Sequence, residues 1–570
     1  MLLAPTGKAR VRLQGATKGE AMTVAQFLNR LKRYDGARQR PLFESKETYR
    51  KAKTVVIDEA SMLTMDDLYA VLQALDLTHV QRLILVGDPN QLPPIGIGRP
   101  FADLITWLAS LSSADTAEQR QLSEALARLT VEVRSVRTAD TKNEEQPSDT
   151  LRLASWFTDF PPSGFSEQVL SRLCLGESLN DLEVVYWSTT EELRERLLDQ
   201  FQRHLKLRNS TDIVGFNKSF GFADEGWIKR DDPDGIENWQ LLSPTRMHPY
   251  GVVELNRWVQ GKFRAKEKQN AREFRGVQIG DEGIVVNDKV IQLKNGDREC
   301  YFWKTGESGE EYLANGEIGG VAKGSGGFLN VFFAGRPMVS FGYRSTDFGE
   351  DRVPLELAYA LTIHKSQGSQ FQTVFVVLPK SSRSLSRELV YTALTRSRQR
   401  LVLLCEGDNA GLLYDLSRPE KSDACRRNTN LFGGILRERN GEPPHAENLI
   451  FKTEKGHMVR SKSELIIANL IHREGIRYEY EQPLDGQKVL GLLHPDFSFA
   501  DAAGDRVIWE HLGMMHDDEY VRGWNWKLEW YRENGFVLDQ NLFITEERRG
   551  QGLSMDYLRG VAEKIKSLVA

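Results

Sequence analysis

Two pairs of carboxylates carry the most chemistry in this chain. Asp58 and Glu59 end the apolar run Thr54-Val55-Val56-Ile57. Such a run reads as a buried strand, which puts both acids at the carboxyl edge of a sheet. Phosphoryl transfer uses a pair of this kind, one carboxylate to help hold a divalent cation and one to orient an attacking water. The next apolar run leads into GDPNQLPP (87–94), a loop in which the Gln91 amide can hydrogen-bond a phosphate and register its loss. The second pair is Asp496 and Glu510, each seven residues from position 503. Segments 492–500 and 506–514 flank Ala502-Ala503-Gly504, which suits a three-residue hairpin loop with glycine last. That register sets Asp496 opposite Glu510, about 5 Å apart on one face. Carboxylates so close repel unless they share a cation, and an all-oxygen site suits Mg²⁺. Further on, Tyr520, Trp524, Lys527 and Tyr531 form one stripe at helical spacing, with Gly535 as a stop. A lysine among aromatics either packs its stem there or brings its amine to the carboxylates. Finally, ALTIHKSQGSQF (360–371) gathers Thr362, His364, Lys365, Ser366, Gln367 and Gly368 in one strand-to-loop turn, with donors suited to phosphates but not to base edges.

The elements that must position these residues are those of an α/β protein. Strands at 54–60 and 82–88 alternate with the helical stretch 66–75, which implies a parallel sheet with its ligands at the carboxyl ends of the strands. Residues 110–235 are less regular, and the polar stretch 138–149 reads as an exposed loop. A second α/β region starts near Trp239 and includes the strands 373–379 and 400–405; inside it, the Gly-rich short strands of 280–345 suit a small β-barrel. Residues 436–455, with paired prolines and mixed charge, read as a linker to a last unit of domain size. A net charge of −5 decides nothing about nucleic acid, because a binding channel needs only local basic charge. No run approaches the ~18 apolar residues of a membrane span, and the residues after Met1 lack the pattern of a signal peptide. The four scattered cysteines, Cys174, Cys300, Cys405 and Cys425, point to isolated thiols in a reducing cytoplasm.

Six segments carry a resemblance: LLAPTGKARVRL (2–13), VVIDEASM (55–62), LILVGDPNQLPPIG (83–96), LLSPTRMHPYGVVELN (241–256), ALTIHKSQGSQF (360–371) and YTALTRSRQR (391–400). In order and spacing they resemble the RecD-like branch of superfamily 1 DNA helicases, over roughly the first three quarters of the chain. The resemblance implies 5′→3′ translocation on single-stranded DNA, driven by ATP and Mg²⁺ between two RecA-like cores. It implies that Asp58 holds Mg²⁺ through water and that Glu59 is the catalytic base. Asp88, Gln91, Gly368 and Arg396 would meet the nucleotide, and Arg396 would act as an arginine finger. Arg134 resembles a second such arginine, although Glu132-Val133 departs from the family pattern. Pro5 and Thr6 would lie along single-stranded DNA, with Thr362, His364, Lys365 and Ser366 on its backbone. Gly7-Lys8-Ala9 imitates the end of a phosphate loop but lacks the earlier glycines and the Ser or Thr for Mg²⁺. The family's G-x-x-x-x-G-K-S/T loop is expected upstream of Leu2, from a missing amino-terminal segment or a protein partner, and these 570 residues alone are expected to hydrolyse ATP poorly.

The tail resembles the PD-(D/E)XK nucleases through Ser461-Lys-Ser-Glu464, His494-Pro-Asp496 and Trp509-Glu510-His511. This implies a metal held by Asp496 and Glu510, with Glu464 completing the site. The motif's lysine position is occupied by Leu512, so Lys527 is the expected replacement and His516 the alternative. The expected architecture is thus two RecA-like parallel-sheet domains (1–236 and 237–435) with a small SH3-like β-barrel insertion at about 280–345, then the linker 436–455 and a separate restriction-endonuclease-like α/β domain, 456–570. The expected function is a DNA helicase fused to a metal-dependent DNA nuclease, acting in repair, recombination or defence. The alternatives are a nuclease with a non-hydrolysing helicase remnant as its DNA-binding scaffold, and a helicase whose tail only docks DNA or a partner.

Overall fold

The structure is a computed structural model of the chain. It describes all residues except 37, 39, 46, 112–115, 130–134, 137–145, 159–168, 171, 174–178, 224–226, 230–231, 233, 274–276, 325–326, 350–352, 381, 383, 419–420, 427–450, 483, 486–487, 489–491, 502–503, 514–517, 547–553 and 570. Arg134, His516 and Cys174 therefore lie outside the described residues, as do Ala502 and Ala503 and most of the 138–149 loop and the 436–455 linker. No helix among the described residues is long and apolar enough to cross a membrane.

The chain divides into two compact units: 1–150, 180–407 and 422–436 form the first, and 151–179, 408–421 and 437–570 the second. The first unit opens with β1 (Leu2–Ala4), α1 (Gly7–Thr17), β2 (Ala21–Thr23), β3 (Thr54–Ile57), α2 (Met65–Ala74) and β4 (Arg82–Leu85). The strands form one parallel sheet in the order β2-β1-β3-β4. β-Branched residues dominate β3, and Val55 and Ile57 bury their side chains in a cluster with Leu3, Phe27, Val71 and Phe101. Helix α2 starts in a capping box, in which Thr64 and Asp67 each satisfy the other's backbone N–H.

The second sheet, also parallel, is built from β5 (Leu182–Trp187) and β6 (Trp239–Ser243), with three later strands. Between them runs an antiparallel region: β7 (Lys289–Gln292), β8 (Gly296–Phe302), β9 (Glu307–Leu313), β10 (Ile318–Ala322), β11 (Phe328–Phe333), β12 (Val339–Arg344) and β13 (Leu355–Leu357). Then follow β14 (Ala360–Thr362), β15 (Phe371–Leu378), α3 (Arg387–Leu394) and β16 (Ser397–Glu406), giving the order β14-β6-β15-β16-β5. Two sequence expectations change here. β5 pairs with β16, so the second core begins before residue 237 and takes in a strand from the stretch that reads as irregular. The insertion is a seven-stranded antiparallel sheet in the order β9-β8-β12-β11-β10-β7-β13, and its terminal strands β9 and β13 do not pair with each other among the described residues. Among the described residues it is an open sheet from 289 to 357 and the expected barrel closure is not seen, with the seven-residue β8–β9 hairpin at one edge. Its root is tied to the second core by buried polar bonds. Asp288 accepts from Gln260 Nε2 (2.8 Å), Tyr359 Oη (2.7 Å) and the Val285 N–H (2.8 Å), and the fully buried Arg264 donates to the Asn287 carbonyl.

The second unit contains α4 (Lys462–Arg473), β17 (Glu479–Tyr480), β18 (Phe497–Ala500), β19 (Arg506–Leu512), α5 (Asp518–Glu533), β20 (Leu542–Glu546) and a last helix, Met555–Val569. Its sheet runs β17-β18-β19-β20, antiparallel except for the parallel pair β19–β20.

Candidate catalytic and nucleic-acid sites

In the first unit, the acids after β3 sit at the carboxyl edge of the sheet. Asp58 Oδ1 accepts the Glu59 N–H (3.0 Å), while the Asp58 N–H donates to the Leu3 carbonyl (2.9 Å). Glu59 has φ +51°, a left-handed conformation that a side chain with a Cβ rarely adopts and that recurs at functional sites. Burial raises its carboxyl above the usual range; the Arg396 guanidinium opposes this, Asp58 adds to it and Arg12 opposes it. A carboxylate tuned upward is a better proton acceptor near neutral pH.

The loop after β4 is held by Asp88. Its Oδ1 accepts the Asn90 N–H (3.0 Å), and its Oδ2 accepts Tyr391 Oη (2.7 Å) from α3. Two further bonds cross the same way, from the Leu92 N–H to Thr392 Oγ1 (2.9 Å) and from Gln367 Nε2 to the Leu92 carbonyl (3.2 Å). Gln91 lies among these contacts, and its Oε1 is buried without a hydrogen-bond donor among the described residues. A buried acceptor in that state is where a ligand hydroxyl or water is needed. Arg396 is buried and oriented by its own core, donating to the carbonyls of Thr392 (2.9 Å) and Ser369 (3.2 Å) and to Thr395 Oγ1 (3.0 Å).

The residues expected on DNA come from both cores. Thr6 caps α1, accepting the Ala9 N–H (3.2 Å). A Cβ added at Gly368 (φ +72°) would lie 3.7 Å from the Thr6 hydroxyl, and Arg12 donates to the Gly368 carbonyl (3.0 Å), so the two loops meet. Lys365 pairs with Glu356 (2.9 Å), which also takes Arg246 (2.6 Å). Thr362 Oγ1 accepts the Lys365 N–H (3.2 Å), and His364 opens a short 3₁₀ turn. Ser366 is fully buried and its hydroxyl donates to the Ile363 carbonyl (2.7 Å), which holds the turn. Gly7 and Lys8 have structural duties: a Cβ at Gly7 would lie 1.9 Å from the Ala314 Cβ, and Lys8 pairs with Glu237. Lys8 and Arg12 also line a cleft of about 440 Å³ with Arg336 and Arg398, beside Glu237 and Glu317.

In the second unit, β18 and β19 pair as Phe497↔Trp509 through Ala500↔Arg506, the register centred on 503. The Asp501 N–H bonds the Asp505 carbonyl (2.9 Å), and Gly504 (φ +87°) ends the loop in the left-handed conformation. One step past the ladder, Asp496 turns to accept the His511 N–H (2.7 Å). Lys527 from α5 pairs with Glu510 Oε1 (2.6 Å), which also accepts Tyr531 Oη. Asp496 is held well above the ordinary carboxylate range, first by burial and then by the charges of Glu510 and Glu464; Lys527 opposes this. Ser461 caps α4 by accepting the Glu464 N–H (3.1 Å), and the Glu464 carboxylate in the first turn accepts from the Arg460 N–H (3.0 Å), Ser461 Oγ (2.9 Å) and Tyr480 Oη (2.6 Å). His511 faces away, its Nδ1 2.9 Å from Thr545 Oγ1. No three His, Cys, Asp or Glu among the described residues converge at ligand distance. Asp496 and Glu510 would be the donors for a cation here, and two carboxylates fit Mg²⁺, an ion that keeps several waters and needs only one or two of them from the protein.

Comparison with known proteins places the first unit. The description "AAA domain" matches residues 1–146, and "UvrD-like helicase C-terminal domain" matches 357–404. A RecBCD enzyme subunit RecD of Mycolicibacterium smegmatis is 28% identical over 417 residues, 70% of this chain and 60% of that protein. An ATP-dependent RecD2 DNA helicase of Deinococcus radiodurans is 28% identical over 400 residues, 70% of this chain and 42% of that protein. Over about 70% of its length the chain is thus similar to RecD-type proteins. An uncharacterized protein of Methanocaldococcus jannaschii is 27% identical over 580 residues, 96% of this chain and 45% of its own length. The chain thus spans about half the length of these curated relatives.

The structure brings Glu59 within electrostatic reach of Arg396 and Asp88 into hydrogen-bond contact with α3, with Gln91 in the loop that Leu92 ties to Thr392. It also reveals partners to which sequence reasoning assigned no role: Arg12, Tyr391 and Thr392 in the first unit, and Tyr480 and Tyr531 in the second. Tyr391 and Thr392 stand inside a quoted RecD-like segment, but only their bonds to the Asp88 loop give them work.

Proposed function

We propose that the chain is an ATP-dependent DNA translocase or helicase of the RecD kind whose tail is a metal-dependent DNA nuclease. The observation that carries the motor reading is the convergence of Glu59 and the Asp88–Gln91 loop on Arg396 and α3, which belong to the other core. In this reading Glu59 takes the proton of the attacking water and Gln91 orients that water through its buried Oε1. Arg396 neutralises charge on the transferring phosphoryl group, and the Tyr391 and Thr392 bonds carry the change to the second core. Mg²⁺, when bound beside Asp58, screens the phosphate charge. In the tail, Asp496 and Glu510 hold the cation, and Lys527 supplies a proton or positive charge next to the scissile phosphate.

Fluorescence anisotropy with a labelled single-stranded oligonucleotide tests the DNA part. The chain should bind with a steep dependence on salt, and Lys365→Ala combined with Arg12→Ala should weaken binding roughly tenfold or more, with a shallower salt slope. Equal affinity in the double variant would remove the proposed DNA path.

A further inference from the structure

Two cations at the carboxyl edge of the second sheet grip the same carboxylate. β6 and β14 are neighbours in that sheet, with Ser243 opposite Thr362, so the loops that follow them leave it side by side. Arg246 stands in the first loop and Lys365 in the second. Both are held from behind: the Arg246 carbonyl accepts the Val253 N–H (3.1 Å), and the Lys365 N–H donates to Thr362 Oγ1 (3.2 Å). Glu356 reaches them from β13, where it stands opposite Ile291 of β7 and between the buried Leu355 and Leu357. Its Oε1 lies 2.6 Å from Arg246 Nη2, and its Oε2 lies 2.9 Å from Lys365 Nζ and 3.3 Å from Arg246 Nη1. Burial opposes ionisation of Glu356, but the bonds from Arg246 and Lys365 outweigh it and hold its carboxyl below the usual range, so it is charged at neutral pH. The side chains of Arg246 and Lys365 are 49% and 34% exposed, and that of Glu356 only 16%. The cations thus reach solvent while the acid lies mostly beneath them.

We infer that Arg246 and Lys365 form a two-cation clamp for one backbone phosphate of single-stranded DNA, and that Glu356 fills the clamp as a phosphate mimic when no strand is bound. This rests on the DNA reading above, which gives Lys365 to the strand but assigns nothing to Arg246 or Glu356. The fork of a guanidinium matches the paired oxygens of a carboxylate and of a phosphate alike. Two cations already arranged around a pair of oxygens need little rearrangement to take a phosphate instead. Ion pairs with this much exposure contribute little to stability, so the triad is not needed to hold the fold. Its effect on binding is larger, because each arriving phosphate must displace a carboxylate that repels it. That competition shortens the stay of any one phosphate, which suits a strand that has to move on. The acid belongs to the inserted sheet and the cations to the core, so the insertion sets how tightly the core holds the strand.

The test is anisotropy of a labelled single-stranded oligonucleotide with the full chain, Glu356→Gln and Arg246→Ala, across a range of salt. Glu356→Gln should bind about threefold tighter or more, with a steeper salt slope, because two cations are set free for phosphate. Arg246→Ala leaves β13 untouched and should weaken binding, with a slope shallower by about one. Loss of a merely structural acid would weaken binding, so the direction of the Glu356→Gln effect separates the two roles. Glu356→Gln binding no tighter than the native chain would overturn the inference, as would native affinity and slope in Arg246→Ala, which decides alone if Glu356→Gln does not fold. A gain for a fluorescent ATP analogue with none for the oligonucleotide would also overturn it, since the clamp would then serve a free nucleotide. A native chain that binds no oligonucleotide overturns the DNA reading and the inference together, whereas native binding left unchanged by Glu356→Gln overturns the inference alone.

Discussion

At the scale of single residues, the tail is governed by one buried ion pair. Glu510 is almost wholly enclosed and meets Lys527 at 2.6 Å, with Tyr531 on the same oxygen. Removing one member leaves an uncompensated buried charge, which costs about 3–5 kcal/mol, whereas removing both together costs much less. A double-mutant cycle of Glu510→Gln and Lys527→Met, followed by chemical denaturation, should therefore show strong coupling, with the double variant more stable than the sum of the singles. Additive losses would mean that the pair is not formed. Much of this centre was legible from sequence. Counting from position 503 gave the register of Asp496 and Glu510, and helical spacing put Lys527 on the side of α5 that meets Glu510. The tyrosines were not legible as partners, because a tyrosine at helical spacing reads equally well as core. The inward bond of Ser366 was not legible for a related reason: a hydroxyl in a phosphate-binding string gives no sign of which way it turns.

At the scale of elements, the antiparallel sheet is rooted by groups that sequence patterns do not distinguish. Lys289, on β7, is buried and donates to the Trp239 carbonyl (2.6 Å) with its amine over the Trp239 ring. Burial lowers its pKa from 10.5 to about 7. A folded value below the unfolded one means that folding favours the neutral amine. That stabilisation is complete above pH 10.5, is lost progressively as pH falls toward 7, and changes no further below. Lys289→Met should thus gain stability relative to the native chain as pH drops from 10 to 7 in denaturant titrations. A constant difference across that window would show that Lys289 keeps its ordinary pKa. The parallel strands were readable from their apolar, β-branched runs. β5 was missed as part of the second sheet because its partner β16 lies more than 200 residues away, and no local signal reports that pairing.

At the scale of the whole molecule, the tail is not a simple appendage. Its compact unit takes in 151–179 and 408–421 as well as 437–570. Tyr414 Oη lies 2.8 Å from Ser463 Oγ at the start of α4, Arg418 donates to the Gly513 carbonyl (3.2 Å), and the Lys462 amine sits over the Trp156 ring. A fragment of residues 437–570 alone should therefore melt well below the tail within the full chain, by roughly 4–8 °C for each kcal/mol lost. Equal melting temperatures would mean that the earlier segments contribute nothing. The sequence pointed to a boundary near 456, since composition marks linkers but not segments that return to a distant domain.

The most direct measurement is cleavage of an end-labelled DNA strand in Mg²⁺ by the native chain, Asp496→Ala and Asp58→Ala. The account predicts cutting by the native chain, none by Asp496→Ala, and cutting retained by Asp58→Ala. Cutting that persists in Asp496→Ala, or no cutting by the native chain at any Mg²⁺ concentration, would contradict it.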